Sequence, residues 1–340
     1  MKILHGTSLE AQKLHRQSIV IDLHADTLLL VFKLGYNLKK RHKNRIPLSP
    51  LCYHVDIPRM REGGVDAIGF SAPTLPFNIA RRPGKVLRTI EKVSRWARGM
   101  RHWIVMVRSA SAIREAHRSG LPSFFLTLEG AHGISATLED LRRYRELGLL
   151  SITLAHLTRS DLAYPSTWGR WKHYRFPREG IALIEKMEEA GIIVDLAHVA
   201  ERAFVDAIGA CKKPPIVSHT GVSGVRPSWR NLSDYEIKCV AEKNGIIGVI
   251  FYPGFLTRSI VASLDCVVAH IKYLLKLVGD DVIALGSDFD GCVASMPRDL
   301  RDISYMPRLT ERLLREGIPV DSIRKILGGN ALRVIQEVCG

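Results

Sequence analysis

The six cysteines of this 340-residue chain, Cys52, Cys211, Cys239, Cys266, Cys292 and Cys339, form no C-x-x-C pair. With no export signal either, free buried thiols are expected rather than disulfides. No apolar run approaches the roughly 18 residues that a membrane helix needs. Residues 1–7 lack the apolar stretch of a signal peptide, and the C-terminus lacks the tail of a lipid-anchor signal. A cytoplasmic location, with no membrane partner, is the resulting expectation. No G-x-G-x-x-G or P-loop follows any apolar run, which argues against a nucleotide-binding open sheet. There is no linker, internal repeat or low-complexity tract, so residues 1–340 read as one domain.

Hydrophobic residues make up 46% and charged residues 24%, as in an ordinary soluble enzyme. The formal net charge is +15, with basic clusters in residues 39–45 and 81–88. No nucleic-acid motif accompanies them. The excess therefore reads as a solvated basic surface, or as steering for an acidic substrate.

Eight apolar runs read as strands: residues 19–26, 65–70, 124–129, 152–156, 192–198, 215–219, 245–251 and 282–288. Amphipathic stretches at 137–147, 178–190, 200–211, 233–243, 264–278 and 321–338 read as helices between or after them. Gly191 and Gly245 stand where left-handed helix ends want glycine. Strand–helix alternation implies βαβ units and a parallel sheet. Eight units favour an α/β fold closed as a (β/α)8 TIM barrel, with an open doubly wound sheet as the rival. Long loops follow the first strand (27–54), the second (71–109) and the fourth (157–177). They would lie over the C-terminal mouth, where such barrels place their active sites.

Six of the runs end in metal-binding or proton-moving residues. His24 and Asp26 are two apart, so a continuing strand would aim both at one cation. Glu129 ends a nearly unbroken apolar run, where a carboxylate needs a partner. No lysine ends any strand, so Glu129 is the expected bridge between two cations. His198 and His219, on adjacent strands, supply the second site. Two ions about 3.5–4 Å apart would hold a hydroxide as nucleophile. Asp288 directly continues the last strand and is preferred over Asp290 as the proton carrier. His156 is placed to polarise a carbonyl. His132 is expected to support or pack rather than to ligate. Arg226 and Arg230 are both candidates to clamp a carboxylate.

These residues resemble the membrane dipeptidase (renal dipeptidase-like) family, peptidase family M19 of the amidohydrolase superfamily. The resemblance runs from about residue 19 to 334. It rests on Asp22-Leu23-His24-Ala25-Asp26, the segment 55–65, Glu129-Gly130, Leu154-Ala155-His156, Asp195-Leu196-Ala197-His198, Ser218-His219-Thr220, Arg230-Asn231, the segment 286–291 and Gly329-Asn330-Ala331. It implies two zinc ions per chain, other divalent metals being allowed. His24 and Asp26 would hold one, His198 and His219 the other, with Glu129 between them. His156 and Asp288 match the catalytic and substrate-contacting pair. Arg230, rather than Arg226, matches the clamp on the substrate's C-terminal carboxylate.

The implied activity is hydrolysis of dipeptides, including L-Xaa-D-Xaa. The implied partner is that small-molecule substrate, with no nucleic acid and with a homodimer left open. Family members commonly carry an asparagine shortly after the histidine of the fourth strand; here the segment is His156-Leu157-Thr158-Arg159-Ser160-Asp161. The basic, aromatic segment 166–176 also departs from the pattern. A related amidohydrolase that cleaves another small amide is therefore the alternative. A surface-binding protein with a vestigial barrel is the rival from another class.

Overall fold

The computed structural model describes residues 6–42, 53–74, 83–259, 261–291 and 295–340. Nine strands are present among them: β1 (Ile21–Ala25), β2 (Ala67–Ser71), β3 (Val105–Met106), β4 (Ser123–Glu129), β5 (Leu149–Thr153), β6 (Ile193–Asp195), β7 (Ile216–Thr220), β8 (Ile246–Val249) and β9 (Ile283–Leu285). Every pairing is parallel, and β2 pairs with both β1 and β4. That closes a ring of eight strands, β1, β2 and β4 to β9, with helices between them. The architecture is the expected (β/α)8 barrel. All the ring strands are buried throughout. This explains their unbroken apolar runs, since a parallel strand under helices has no polar face.

The extra strand, β3, was not expected. It pairs with the first two residues of β4, ahead of where β5 begins, Val105 with Ser123 and Met106 with Phe124. Two residues are too short to show periodicity, so the second excursion reads in sequence as a loop. It holds the helix Pro83–Met100 as well. The excursion after β5 is mostly irregular, with a short 3-10 turn at Thr167–Gly169. Residues 43–52 and 75–82 of the first two excursions lie outside the described residues, as do Cys52, Cys292 and parts of both basic clusters. The four described cysteines, Cys211, Cys239, Cys266 and Cys339, are free thiols as expected, but only Cys211 is buried and the other three are partly exposed.

Helix boundaries follow capping chemistry. Thr137 accepts from the Asp140 amide to start Leu138–Glu146. Ser233 and Glu236 form a reciprocal capping box at the start of Asp234–Glu242. Gly191 takes the left-handed conformation that its position suggested, with φ 71°. At the other expected site Asn244 does so instead, with φ 52°, one residue before Gly245. Asparagine tolerates that region through its short polar side chain.

The last helix is three pieces rather than one: Val320–Arg324, a π-helical turn Lys325–Gly329, and Asn330–Cys339. Asn330 ties the break to the barrel by donating to the carbonyls of Asp280 and Ile283. Beyond it, Ala331, Val334 and Ile335 pack with Ile21, Phe125, Leu150, Ile193, Ile216 and Ile246. Those six residues stand near the starts of six different strands. One helix meets all of them by closing the N-terminal end of the barrel, which leaves the opposite end for the site. Among the described residues, no helix is long and apolar enough to cross a membrane.

Candidate active site

At the C-terminal end of the barrel, Glu129 lies among four imidazoles. Its Oε1 is 3.0 Å from His198 Nε2, 3.3 Å from His219 Nε2 and 3.7 Å from His24 Nε2. Its Oε2 is 3.3 Å from His156 Nε2. His24 Nε2 also stands 3.7 Å from Asp26 Oδ2 and 3.9 Å from Asp288 Oδ1. The structure thus brings together His24, Asp26, Glu129, His156, His198, His219 and Asp288, the seven residues that the sequence reading placed around the metals and the reacting bond.

The local reasons differ from strand to strand. β1 ends at Ala25, so Asp26 does not continue the strand as expected. Asp26 occupies the N-cap of Thr27–Leu34 but makes no capping bond, which leaves its carboxylate for the site. His156, His198 and Asp288 each lie three residues beyond the end of their strand. His198 and Asp288 adopt left-handed backbone, with φ 65° and 62°. Non-glycine residues are held there only when their surroundings over-determine them, commonly at functional sites. Gly130 has φ 86°, and a Cβ on it would meet His132 Nδ1 at 2.7 Å and His156 Cβ at 3.0 Å. Glycine after Glu129 therefore lets two neighbouring histidines approach.

The other candidates are resolved by their bonds. His132 faces the Thr158 carbonyl at 2.7 Å, a supporting position. Asp290 accepts from the Thr27 hydroxyl and the His54 amide, so it ties loops together. Arg226 donates to the carbonyls of Thr257 and Pro227. Arg230 is buried and donates through Nη2 to the His219 carbonyl at 2.5 Å.

Sequence reading missed the residues that hold these in place. Asp195 accepts from the hydroxyls of Thr153 and Ser218, both at 2.6 Å, and from the amides of Ala197 and Ser218. Asp22 accepts from the Ser287 and His24 amides, joining β1 to the segment after β9. The available signal was the one used for Glu129, an acid inside an apolar strand.

Electrostatics point to a cation. Burial alone would depress His24, but Glu129, Asp26 and Asp288 together push it up to about 10. Burial pushes Glu129 well above the carboxylate range, reinforced by Asp26. Burial raises Asp288 to about 7. The other imidazoles go the opposite way: burial lowers His156 to about 3 and holds His198 and His219 well below the usual histidine range. Neutral imidazoles and crowded carboxylates are the donor set of a divalent-metal site. His24 Nε2 is buried without a hydrogen-bond partner, and His198 Nε2 lies 2.9 Å from His219 Nε2. The residues fit bound metal, which would replace the His24 proton and occupy those lone pairs.

A closed parallel barrel carrying such a cluster at its C-terminal mouth defines a metal-dependent hydrolase. The comparisons narrow the class. The model of the membrane dipeptidase family, peptidase family M19, matches residues 9–339. The chain belongs to that family and is a metallodipeptidase. It is 30% identical to dipeptidase aclJ of Aspergillus oryzae over 295 residues, covering 84% of this chain and 70% of the relative. The crystal structure of dipeptidase AC, an M19 metallopeptidase, is 25% identical with TM-score 0.81, covering 95% of this chain and 99% of the other. A metallopeptidase from Rhodobacter sphaeroides, liganded with a phosphinate mimic of the dipeptide L-Ala-D-Ala, shares the fold. It is 24% identical with TM-score 0.81, covering 94% and 99% of the two chains.

Proposed function

We propose that the enzyme is a binuclear zinc dipeptidase that accepts L-Xaa-L-Xaa or L-Xaa-D-Xaa substrates. The carrying observation is that Glu129 belongs to two ligand clusters at once, one with His24 and Asp26 and one with His156 and His198. His24 and Asp26 would hold one ion, His198 and His219 the other, and Glu129 would be shared. His156 and Asp288 fall within ligand distance too, but their assigned work is on the substrate. Bound divalent ions would supply Lewis acidity and a nucleophile at neutral pH.

The protein's own groups do the rest. Asp288, a largely buried carboxyl beside the ligand cluster, takes the proton of the attacking water and returns it to the leaving amine. His156, neutral at working pH, donates a hydrogen bond to the scissile carbonyl as charge develops on it. Arg230 remains a cation, since burial lowers it only to about 10. One of its five donors holds the His219 carbonyl, which leaves others for the substrate carboxylate. The Rhodobacter ligand is the reason to include D-residues at the C-terminal position. Cytoplasmic residence and one domain over residues 1–340 complete the reading.

Hydrolysis of another small amide is the second reading. Trp168, 81% exposed in the excursion after β5, favours it because that segment can meet a larger substrate. Elemental analysis should find two metal equivalents in chelator-free protein, and Glu129→Gln should lower occupancy at both sites. Full occupancy in that variant would remove Glu129 from the shared position. A panel of free dipeptides, L,L and L,D, separates the two readings: no turnover of any would sink the dipeptidase.

A further inference from the structure

Beside the metal cluster, a cavity of about 350 Å³ opens between the segments that follow β5, β6 and β7. His198 and Arg230 form the wall shared with the reaction centre. Glu236 and Ser166 stand elsewhere on its lining, with Trp229 between the loops. Glu236 is 5% exposed. Both of its capping-box bonds, from the Ser233 amide and hydroxyl, go to Oε2. Among the described residues, Oε1 has no hydrogen-bond partner. The residue as a whole is buried, and it lines the cavity. The Ser166 hydroxyl is likewise buried without a partner. Glu236 Oε1 thus keeps its acceptor capacity for a donor that enters the cavity.

We propose that this cavity is the subsite for the side chain of the C-terminal substrate residue, and that Glu236 selects a cationic side chain there. The assignment rests on the dipeptidase reading, because Arg230 places the substrate's C-terminus at the cavity mouth. A lysine-like chain would run its methylenes along Trp229 and Leu196 and bring its ammonium to Glu236. Two cations on the wall oppose this less than their number suggests. Lys172 is half exposed and paired with Glu201 at 3.1 Å. Arg230 would be neutralised by the substrate carboxylate. Among the described residues, the side chain of Glu236 is hydrogen-bonded only to Ser233, with Lys172 and Glu201 acting on it in opposite senses. Burial pushes its carboxyl up to about 7, and an ammonium beside it would favour the ionised form.

The aromatic rim fits the same role. Trp229 packs edge-on against Phe255 at 5.5 Å, and the exposed Trp168 lies 6.4 Å from it. Trp168 has φ 50°. Packed against Phe255, Trp229 is held on the cavity wall, an apolar surface for the methylenes of a long side chain.

The test uses zinc-loaded, full-length protein and Glu236→Gln. Glutamine keeps the capping box, since it too can reach back to the N-cap amide, and removes the charge. Substrates are Ala-Lys and Ala-norleucine in L,L and L,D forms, with L-Lys-L-Ala and L-Ala-L-Ala as controls. Wild type should prefer Ala-Lys over Ala-norleucine in kcat/KM. The preference should fall roughly 10- to 100-fold in Glu236→Gln, the range for a hydrogen bond to a charged group. L-Lys-L-Ala, with its cation on the other residue, should show no such change. A wild type without lysine preference, or a variant that keeps it, overturns the assignment while L-Ala-L-Ala turnover leaves the dipeptidase reading standing. No turnover of any dipeptide overturns both.

Discussion

The Ser218 hydroxyl lies 2.9 Å from Nδ1 of His219. It also stands 2.6 Å from Asp195 Oδ2, a carboxylate that can only accept. The hydroxyl proton therefore goes to Asp195, and Ser218 accepts from His219 Nδ1–H. That fixes the tautomer and leaves the Nε2 lone pair facing Glu129 and His198, as a metal ligand requires.

Ser218→Ala should accordingly lower metal affinity about 10- to 100-fold, the usual cost of losing a partner that orients a ligand. Competition against a calibrated chelator measures it. An unchanged affinity would show that ring stacking on His24, with centroids 4.0 Å apart, is enough to hold His219.

Asp288→Asn keeps shape but cannot carry the proton. Turnover should drop by at least ~100-fold, with metal content near normal. The neighbouring Asp290→Asn should behave otherwise. Asp290 is bonded to Thr27 and His54. Its loss should cost about 1–3 kcal/mol in denaturant unfolding, from strained or unpaired buried partners. If the two variants exchange these phenotypes, the proton carrier has been misassigned.

Arg230→Met should weaken kcat/KM for a free dipeptide by roughly 2–4 kcal/mol, about 30- to 1,000-fold. The C-terminally amidated dipeptide should suffer much less, since it brings no carboxylate. Arg226→Met should have the smaller effect on the acid, because Arg226 already serves two loop carbonyls. An equal loss on acid and amide would make Arg230 structural.

His270 is buried and neutral: the Val222 amide donates to Nδ1, and Nε2 faces the Leu256 carbonyl. Burial lowers its pKa to about 4. Below about 6.5 the unfolded chain binds a proton there that the folded chain refuses until about 4. The contribution is thus complete above 6.5 and is lost as pH falls towards 4. Within that window His270→Gln should reduce the slope of unfolding free energy by about 1.4 kcal/mol per pH unit. Glutamine keeps one donor and one acceptor. A slope equal to that of wild type would place the proton uptake elsewhere.

Most of the barrel could be read before any coordinates. A strand buried on both faces must be apolar throughout, so eight such runs separated by amphipathic helices leave few other closed arrangements. The same rule exposed the site. A carboxylate or imidazole at the end of such a run stands out because burying it without a purpose is costly. Glu129, His198, His219, His24 and Asp288 were all visible on that ground.

Other features depended on where distant segments meet. β3 is too short for a pattern, and its pairing with β4 exists only once the barrel brings Val105 to Ser123. The break at Lys325–Gly329 belongs with Asn330, whose partners are about 50 residues away in sequence. Asp26 reaches His24 from a helix cap, not from the strand that spacing suggested. The left-handed backbones of His198 and Asp288, the meeting of Asp195 with Ser218 and the open oxygen of Glu236 leave no local pattern. Local sequence determined which residues are apolar, which end the strands and where helices are capped, because those depend on neighbours within a few positions. Tertiary structure alone decided which polar atoms find partners and which are left facing the metal site or its cavity.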